Sequence, residues 1–315
     1  MPGVALAAIL ACPLSLACAS EARTDRWIAL RSAPLQRTEV AAARIGRFVY
    51  VVGGFERSGS ATTAAVERYD LARDRWARVR DLPLALNHAA AAAYRGDLYV
   101  LGGYTGRGDL SGEVASLHRY DPERDRWSAL PAAPTRRGAL AVGVIGGRLY
   151  AVGGANAARG ALRTLELYDF ARRRWSSGPS LQRAREHLAA AVLGGELYAI
   201  TGRAAGRGNF ASVERYRPGA RRWERVADLR KERGGIAAAT VRGSIVVVGG
   251  EEGAGTIAPV ERYDPAREGW TSLPPMRTPR HGLGAVSRGR RVYTLAGGPQ
   301  PGFAFSGAVE ALDVR

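Results

Sequence analysis

The sequence predicts a repeat fold built from short β-strands, and three observations carry that prediction. A Gly-Gly doublet closes a short apolar run with its first residue at 53, 102, 153, 249 and 297, and Thr201-Gly202 fills the missing slot. Tryptophan falls at 27, 76, 127, 175, 223 and 270. Tyrosine precedes tryptophan by seven residues in all five complete units, from Tyr69–Trp76 to Tyr263–Trp270. The period is about 48 residues, which points to a solenoid, a propeller or an array.

Each unit divides into fixed and variable parts. Tryptophan to the next doublet spans 26 residues five times and 27 once, whereas doublet to tyrosine spans 16, 18, 15, 15 and 14. Length variation is confined to one loop per unit, and a variable loop on a fixed scaffold is where function usually sits. The first strand of a unit is rich in small residues, as in Ala89–Ala93 and Ala189–Val192. A tight turn follows, such as Arg95-Gly96-Asp97, where glycine accepts the positive φ of a short hairpin. The second strand is an apolar run such as Leu98–Leu101 or Ile245–Val248, consistent with burial on both faces. The third carries tyrosine, the Asp121-Pro122 and Asp264-Pro265 turns suit a type I geometry, and the fourth carries tryptophan.

A strand ending in Gly-Gly, then Glu-x-Tyr-Asp as in Glu261–Asp264, then tryptophan, at constant offsets over six copies, closely resembles the kelch repeat. The resemblance covers nearly everything after the leader and implies an all-β, six-bladed propeller over residues 24–315, with four antiparallel strands per blade. The first unit has only a tryptophan strand, at Asp25–Leu30, and the last stops after Val309–Asp313. The N-terminal strand is therefore expected to close the last blade, since an open propeller exposes a strand edge.

The leader is a separate matter. Residues 1–20 carry no charged side chain, and Val4 to Cys18 is apolar and small, too short for a membrane span. Residues 1–19 read as a signal peptide, with an Ala17-Cys18-Ala19 cleavage signal and a lipobox-like Ser15-Leu16-Ala17-Cys18 that makes Cys18 a lipidation candidate. The expectation is export, as a periplasmic protein, an outer-membrane lipoprotein or an extracellular protein. Both cysteines, Cys12 and Cys18, lie in this leader, so the mature propeller is expected to have no disulfide. The net charge of +17 is almost all arginine, with Lys231 the only lysine. Arginine, alanine and glycine enrichment reflects coding composition more than a partner, and no nucleic-acid signature accompanies it.

Strands alternate in direction, so the loops after the second and fourth strands share one face. The variable loops are 55–63, 104–112, 155–162, 203–210, 251–258 and 299–306, and that face is the candidate binding surface. The crossings place an arginine before the first strand in five units, Arg37, Arg137, Arg185, Arg233 and Arg280, while Leu86-Asn87 takes that slot in blade two. With Arg203 after the fourth doublet, these guanidiniums would ring the mouth and take a carboxylate, sulfate or phosphate. The competing reading is that they bind local carbonyls or acidic neighbours such as Glu39, Glu186 and Glu232. His88, His187 and His281 lie beside them in separate blades, without the spacing of a metal motif, so no metal or other cofactor is expected.

The reading that results is an exported, monomeric binding module whose loop face takes a protein or an acidic glycan, with no catalytic residue assigned. The alternative is a sugar-active enzyme similar to the six-bladed sialic-acid epimerase, with Glu186 and His187, or Glu251 and Glu252, as acid and base. A copper radical oxidase of the galactose-oxidase type is set aside, because that resemblance requires a cysteine the mature chain lacks.

Overall fold

A computed structural model of the chain describes Gly3 and residues 25–58 and 61–315. The expected leader, with Cys12 and Cys18, falls outside these residues apart from Gly3. Every regular element among the described residues is a strand. Blade one is Ala41–Ile45, Phe48–Val52, Val66–Asp70 and Arg75–Arg78. Blade two is Ala90–Tyr94, Asp97–Leu101, Leu117–Asp121 and Arg126–Leu130. Blades three to five repeat this order from first strands at Ala141–Ile145, Ala189–Leu193 and Gly234–Val241. Blade six takes three strands from Gly284–Asp313 and its fourth from Arg26–Leu30, which pairs antiparallel with Val309–Asp313 from Arg26 opposite Asp313 to Leu30 opposite Val309. The expected closure is present, and it leaves no blade short of a strand.

The first strands surround the axis, each touching the next, and the last touches the first. Small residues make this possible: a Cβ on Gly284 would stand 2.4 Å from that of Ala42. Tyrosine and tryptophan pack as tilted rings across the third and fourth strands, with Tyr69–Trp76 centroids 4.8 Å apart and their planes 30° from parallel. Each indole N–H donates to a carbonyl of the preceding blade: Trp76 to Arg31, Trp127 to Arg80, Trp175 to Pro131, Trp223 to Pro179, Trp270 to Ala227, and Trp27 to Pro274. The tryptophans therefore join blades as well as filling them.

The doublet does the same at the other end of the blade. The N–H of its second residue donates to the carbonyl of the crossing that enters the next blade: Gly54 to Leu86, Gly103 to Arg137, Gly154 to Arg185, Gly202 to Arg233, Gly250 to Arg280 and Gly297 to Arg37. This pattern shifts the sixth doublet to Ala296-Gly297, one residue earlier than the Gly297-Gly298 read from the sequence. The spacing from tryptophan is then 26 in all six units. The second position is glycine throughout, at φ between 94° and 111°, where a side chain is excluded. The first position is ordinary left-handed backbone, which Thr201 at 50° and Ala296 at 57° also adopt.

Candidate functional site

The mouth is built by one residue per blade. Glu39, His88, Ala139, His187 and Gly282 each precede a first strand, Gly235 is the second residue of one, and all six have φ between 51° and 69°. Their backbones form a closed circuit. His88 N–H donates to Glu39, Ala139 to His88, His187 to Ala139, Gly235 to His187 and Gly282 to Gly235, and Val40 N–H returns to Gly282 at 3.2 Å. A non-glycine residue in this conformation costs roughly 1–2 kcal/mol, and four of the six accept it. All six line a central cavity of 80 Å³.

The side chains on this circuit meet those of the variable loops. His88 Nε2 lies 3.1 Å from Glu39 Oε2, and its Nδ1 lies 2.7 Å from Asn87 Oδ1. His281 Nε2 faces the other Glu39 oxygen at 3.4 Å and Glu251 Oε2 at 3.6 Å. His187 Nδ1 bonds Glu186, and the His88 and His187 rings meet edge to face at 4.8 Å. Arg203 joins two of the carboxylates, with Nε 3.1 Å from Glu186 and Nη1 2.7 Å from Glu251. A cleft of 580 Å³ opens above, lined by Arg203, Asn209, Glu232, Glu251 and Glu252 and by Gly302 from the blade-six loop.

Burial sets the charge states. Desolvation, reinforced by His187, Arg203 and His281, holds the His88 ring well below the ordinary imidazole range, so it is neutral. Burial works to raise the Glu186 carboxyl, but His187 and Arg203 outweigh it and hold the acid below its usual range. Glu251 follows the same pattern, with burial opposed by His281 and Arg203. Both carboxylates are ionised near neutral pH. Burial also works to lower the Arg203 guanidinium, but Glu186 and Glu251 more than offset it and hold it above its ordinary value.

The expected ring of arginines is corrected. Arg37, Arg137, Arg185, Arg233 and Arg280 are 0–1% exposed. They point into the blades and pair with the glutamate of the third strand, Glu67, Glu166, Glu214, Glu261 and Glu310, at 2.6–3.1 Å. Four of them also clasp two carbonyls, as Arg185 does with Thr201 at 3.0 Å and Ser212 at 2.7 Å. Those carbonyls stand where the variable loop leaves and rejoins the blade, so each guanidinium closes the base of its own loop. Only Arg203, with its side chain 31% exposed, reaches the mouth. The paired glutamate was missed from sequence, although a signal existed. Blade two alone has no arginine at the crossing, where Leu86 stands, and it alone has no glutamate, where His118 stands.

Two expectations about histidine also change. Sequence spacing separates Glu39, His88 and His187 into three units, yet donor atoms of the three lie within 4.8 Å of one another. His281, likewise read as standing in a separate blade, faces Glu39 of blade one and Glu251 of the blade-five loop through Nε2, while its Nδ1 lies 3.2 Å from the Gly298 carbonyl. The shared face itself is as expected, since bridges pair the crossings with the variable loops at Asn87–Tyr104, Gly138–Ala155, Glu186–Arg203 and His281–Gly298.

Comparison with known proteins gives two matches to families. The model described as the KLHDC2/KLHL20/DRC7 Kelch-repeats domain matches residues 87–298, and that of the Kelch motif matches residues 36–83. No curated protein matches the sequence. Among solved structures, one titled "Structure of YjhT" superposes with a TM-score of 0.76 at 16% identity, covering 88% of this chain and 95% of that one. The likeness at that identity is one of fold.

Proposed function

The chain belongs to the kelch-repeat β-propeller family, and from that premise we propose that it is a binding propeller whose loop face takes a carbohydrate in the cleft between blades four, five and six. The observation that carries this reading is the cleft itself. Its 580 Å³ falls within the range of about 300–1,000 Å³ usual for small-molecule sites. Its planar polar groups, Arg203, Asn209 and the carboxylates of Glu251 and Glu252, suit the paired hydroxyls of a sugar. The acidic-ligand version of the idea loses its support with the five arginines withdrawn, because carboxylates outnumber Arg203 and Lys231 around the cleft. A neutral sugar is therefore the proposed ligand.

An array of neutral and acidic glycans, followed by calorimetry on the hits, tests the proposal. The expected result is a neutral glycan whose binding weakens at least about tenfold in Asn209→Ala, since the site's remaining polar groups are then left unpaired. Absence of any glycan hit, or a hit indifferent to Asn209→Ala, would overturn it; capture of a protein through the exposed Phe303 and Leu110 would replace it.

A second reading is an enzyme that moves protons on the bound sugar. It is favoured by the Glu186–His187 pair joined through Arg203 to Glu251. Proton NMR of the bound sugar's anomers would show accelerated exchange that Glu186→Gln abolishes without abolishing binding. Export rests on the uncharged leader alone, and intact-mass analysis of the secreted or envelope form, beginning near Cys18 or Ser20, is the check on that proposal.

A further inference from the structure

The floor of the mouth holds donors that sugar binding leaves idle. Hydrogen bonds fix which way they face. Thr62 Oγ1 donates to the Gly106 carbonyl, so it must accept from Asn87 Nδ2, which lies 2.8 Å away. That orientation turns Asn87 Oδ1 to His88 Nδ1 at 2.7 Å, and an amide oxygen only accepts. His88 therefore carries its proton on Nδ1. His187 Nδ1 faces Glu186, a carboxylate that likewise only accepts. Both imidazoles are thus locked with Nε2 left over. The Nε2 of His88 then stands 3.1 Å from a Glu39 oxygen.

We propose that Glu39, His88 and His187 bind a divalent first-row transition-metal ion at the axis, with Asn87 and Glu186 as the outer partners that hold the two imidazoles. A cation between His88 Nε2 and Glu39 would be held from both sides. Two imidazoles and one carboxylate form the donor set of open zinc and non-haem iron sites. A histidine ligand that gives its other nitrogen to an amide or carboxylate is how such sites are usually supported.

Space and charge agree with this. The cavity's 80 Å³ accommodates an ion with one or two waters, at about 30 Å³ each. The donors already lie within 4.8 Å of one another, and all three residues line this cavity. Glu39, Glu186 and Glu251 set three carboxylates against the one guanidinium of Arg203. Arg203 pairs with Glu186 and Glu251, whereas the ion pairs of Glu39 are with His88 and His281 alone; a divalent ion would give it a fixed cation, and charges removed from water need such a partner. The competing arrangement is protonation of the imidazoles with no ion, and the experiment separates the two.

The full chain, carrying Cys12→Ser and Cys18→Ser so that no thiol competes, is stripped with chelator and titrated calorimetrically with Zn²⁺ and no sugar. One ion per chain is expected. His187→Ala should weaken binding by more than about 100-fold and Asn87→Ala by about 10–100-fold, whereas His118→Ala should leave it unchanged. X-ray absorption of the Zn²⁺-loaded protein should show two imidazoles and needs no substitution in the site, so an unstable variant does not spoil the test. No uptake of Zn²⁺, uptake indifferent to His187→Ala, or a spectrum without imidazole scattering would overturn the proposal. Glycan binding measured in chelator stands or falls separately, so failure here does not decide the sugar reading.

Discussion

At the scale of single residues, the five buried arginines show how a side chain suited to ligands can be wholly engaged by its own fold. Removing Arg185 leaves the Glu214 carboxylate buried without its cation and takes a donor from the Thr201 and Ser212 carbonyls. Breaking such a pair typically costs about 3–5 kcal/mol, so Arg185→Ala should lower the melting temperature sharply, by calorimetry, rather than weaken a ligand. Replacing Arg185 by Leu and Glu214 by His together, which copies blade two, should recover much of that loss; no recovery would show that Leu86 and His118 are not the counterpart of the pair. His118 has a consequence of its own. Both its ring nitrogens are buried without a partner, and desolvation lowers its pKa below the ordinary imidazole value. The unfolded chain therefore takes up a proton near pH 6.5 that the folded blade resists, and stability present above that pH is lost as pH falls below it. His118→Leu should flatten the decline in melting temperature between pH 7.5 and 5.5. An equal decline in both proteins would place the pH sensitivity elsewhere.

At the scale of the element, the doublet has two unequal positions. The second needs glycine, because a Cβ on Gly202 would stand 2.7 Å from the Glu186 carbonyl at a φ of 99°. Strain at such a site is of order 1–3 kcal/mol before the clash is counted. Gly202→Ala should therefore destabilise by about 2 kcal/mol or more in urea titration. Ala296→Gly should stay within about 1 kcal/mol, since relief of left-handed strain offsets the added chain entropy. Equal costs would show that the two positions are not distinct. This asymmetry also explains what the sequence revealed and what it hid. Glycine, tyrosine and tryptophan at fixed offsets made the blades legible, and the uniform 26-residue spacing was obscured only because Gly298 follows the true pair. The Arg–Glu clasp was legible through the paired loss in blade two alone. The mouth cluster was not legible, because Glu39, His88 and His187 are brought together by left-handed backbone that no single residue type announces.

For the whole molecule, closure by Arg26–Leu30 decides whether the ring is sealed. Deleting residues 1–30 would strip the outer strand from blade six, bare the edge of Val309–Asp313 and remove the Trp27 bond to Pro274. The truncated protein should melt earlier and associate on size-exclusion chromatography, since a bare edge invites pairing. A monomer with unchanged melting would mean that the strand adds nothing to the seal. The charge of the molecule has a similar division of place: +17 overall, yet a mouth in which carboxylates outnumber the fixed cations.

The circuit of left-handed residues around the axis has one more consequence. Its bonds run from backbone to backbone, so the circuit holds its shape whichever side chain is written at each of its stations. Glutamate, histidine, alanine and glycine already occupy equivalent stations in this one chain. The mouth behaves as a six-letter word in a fixed typeface. Duplication supplied the typeface six times over, and substitution at single stations could spell new chemistries there one letter at a time, without recasting the blades that carry them.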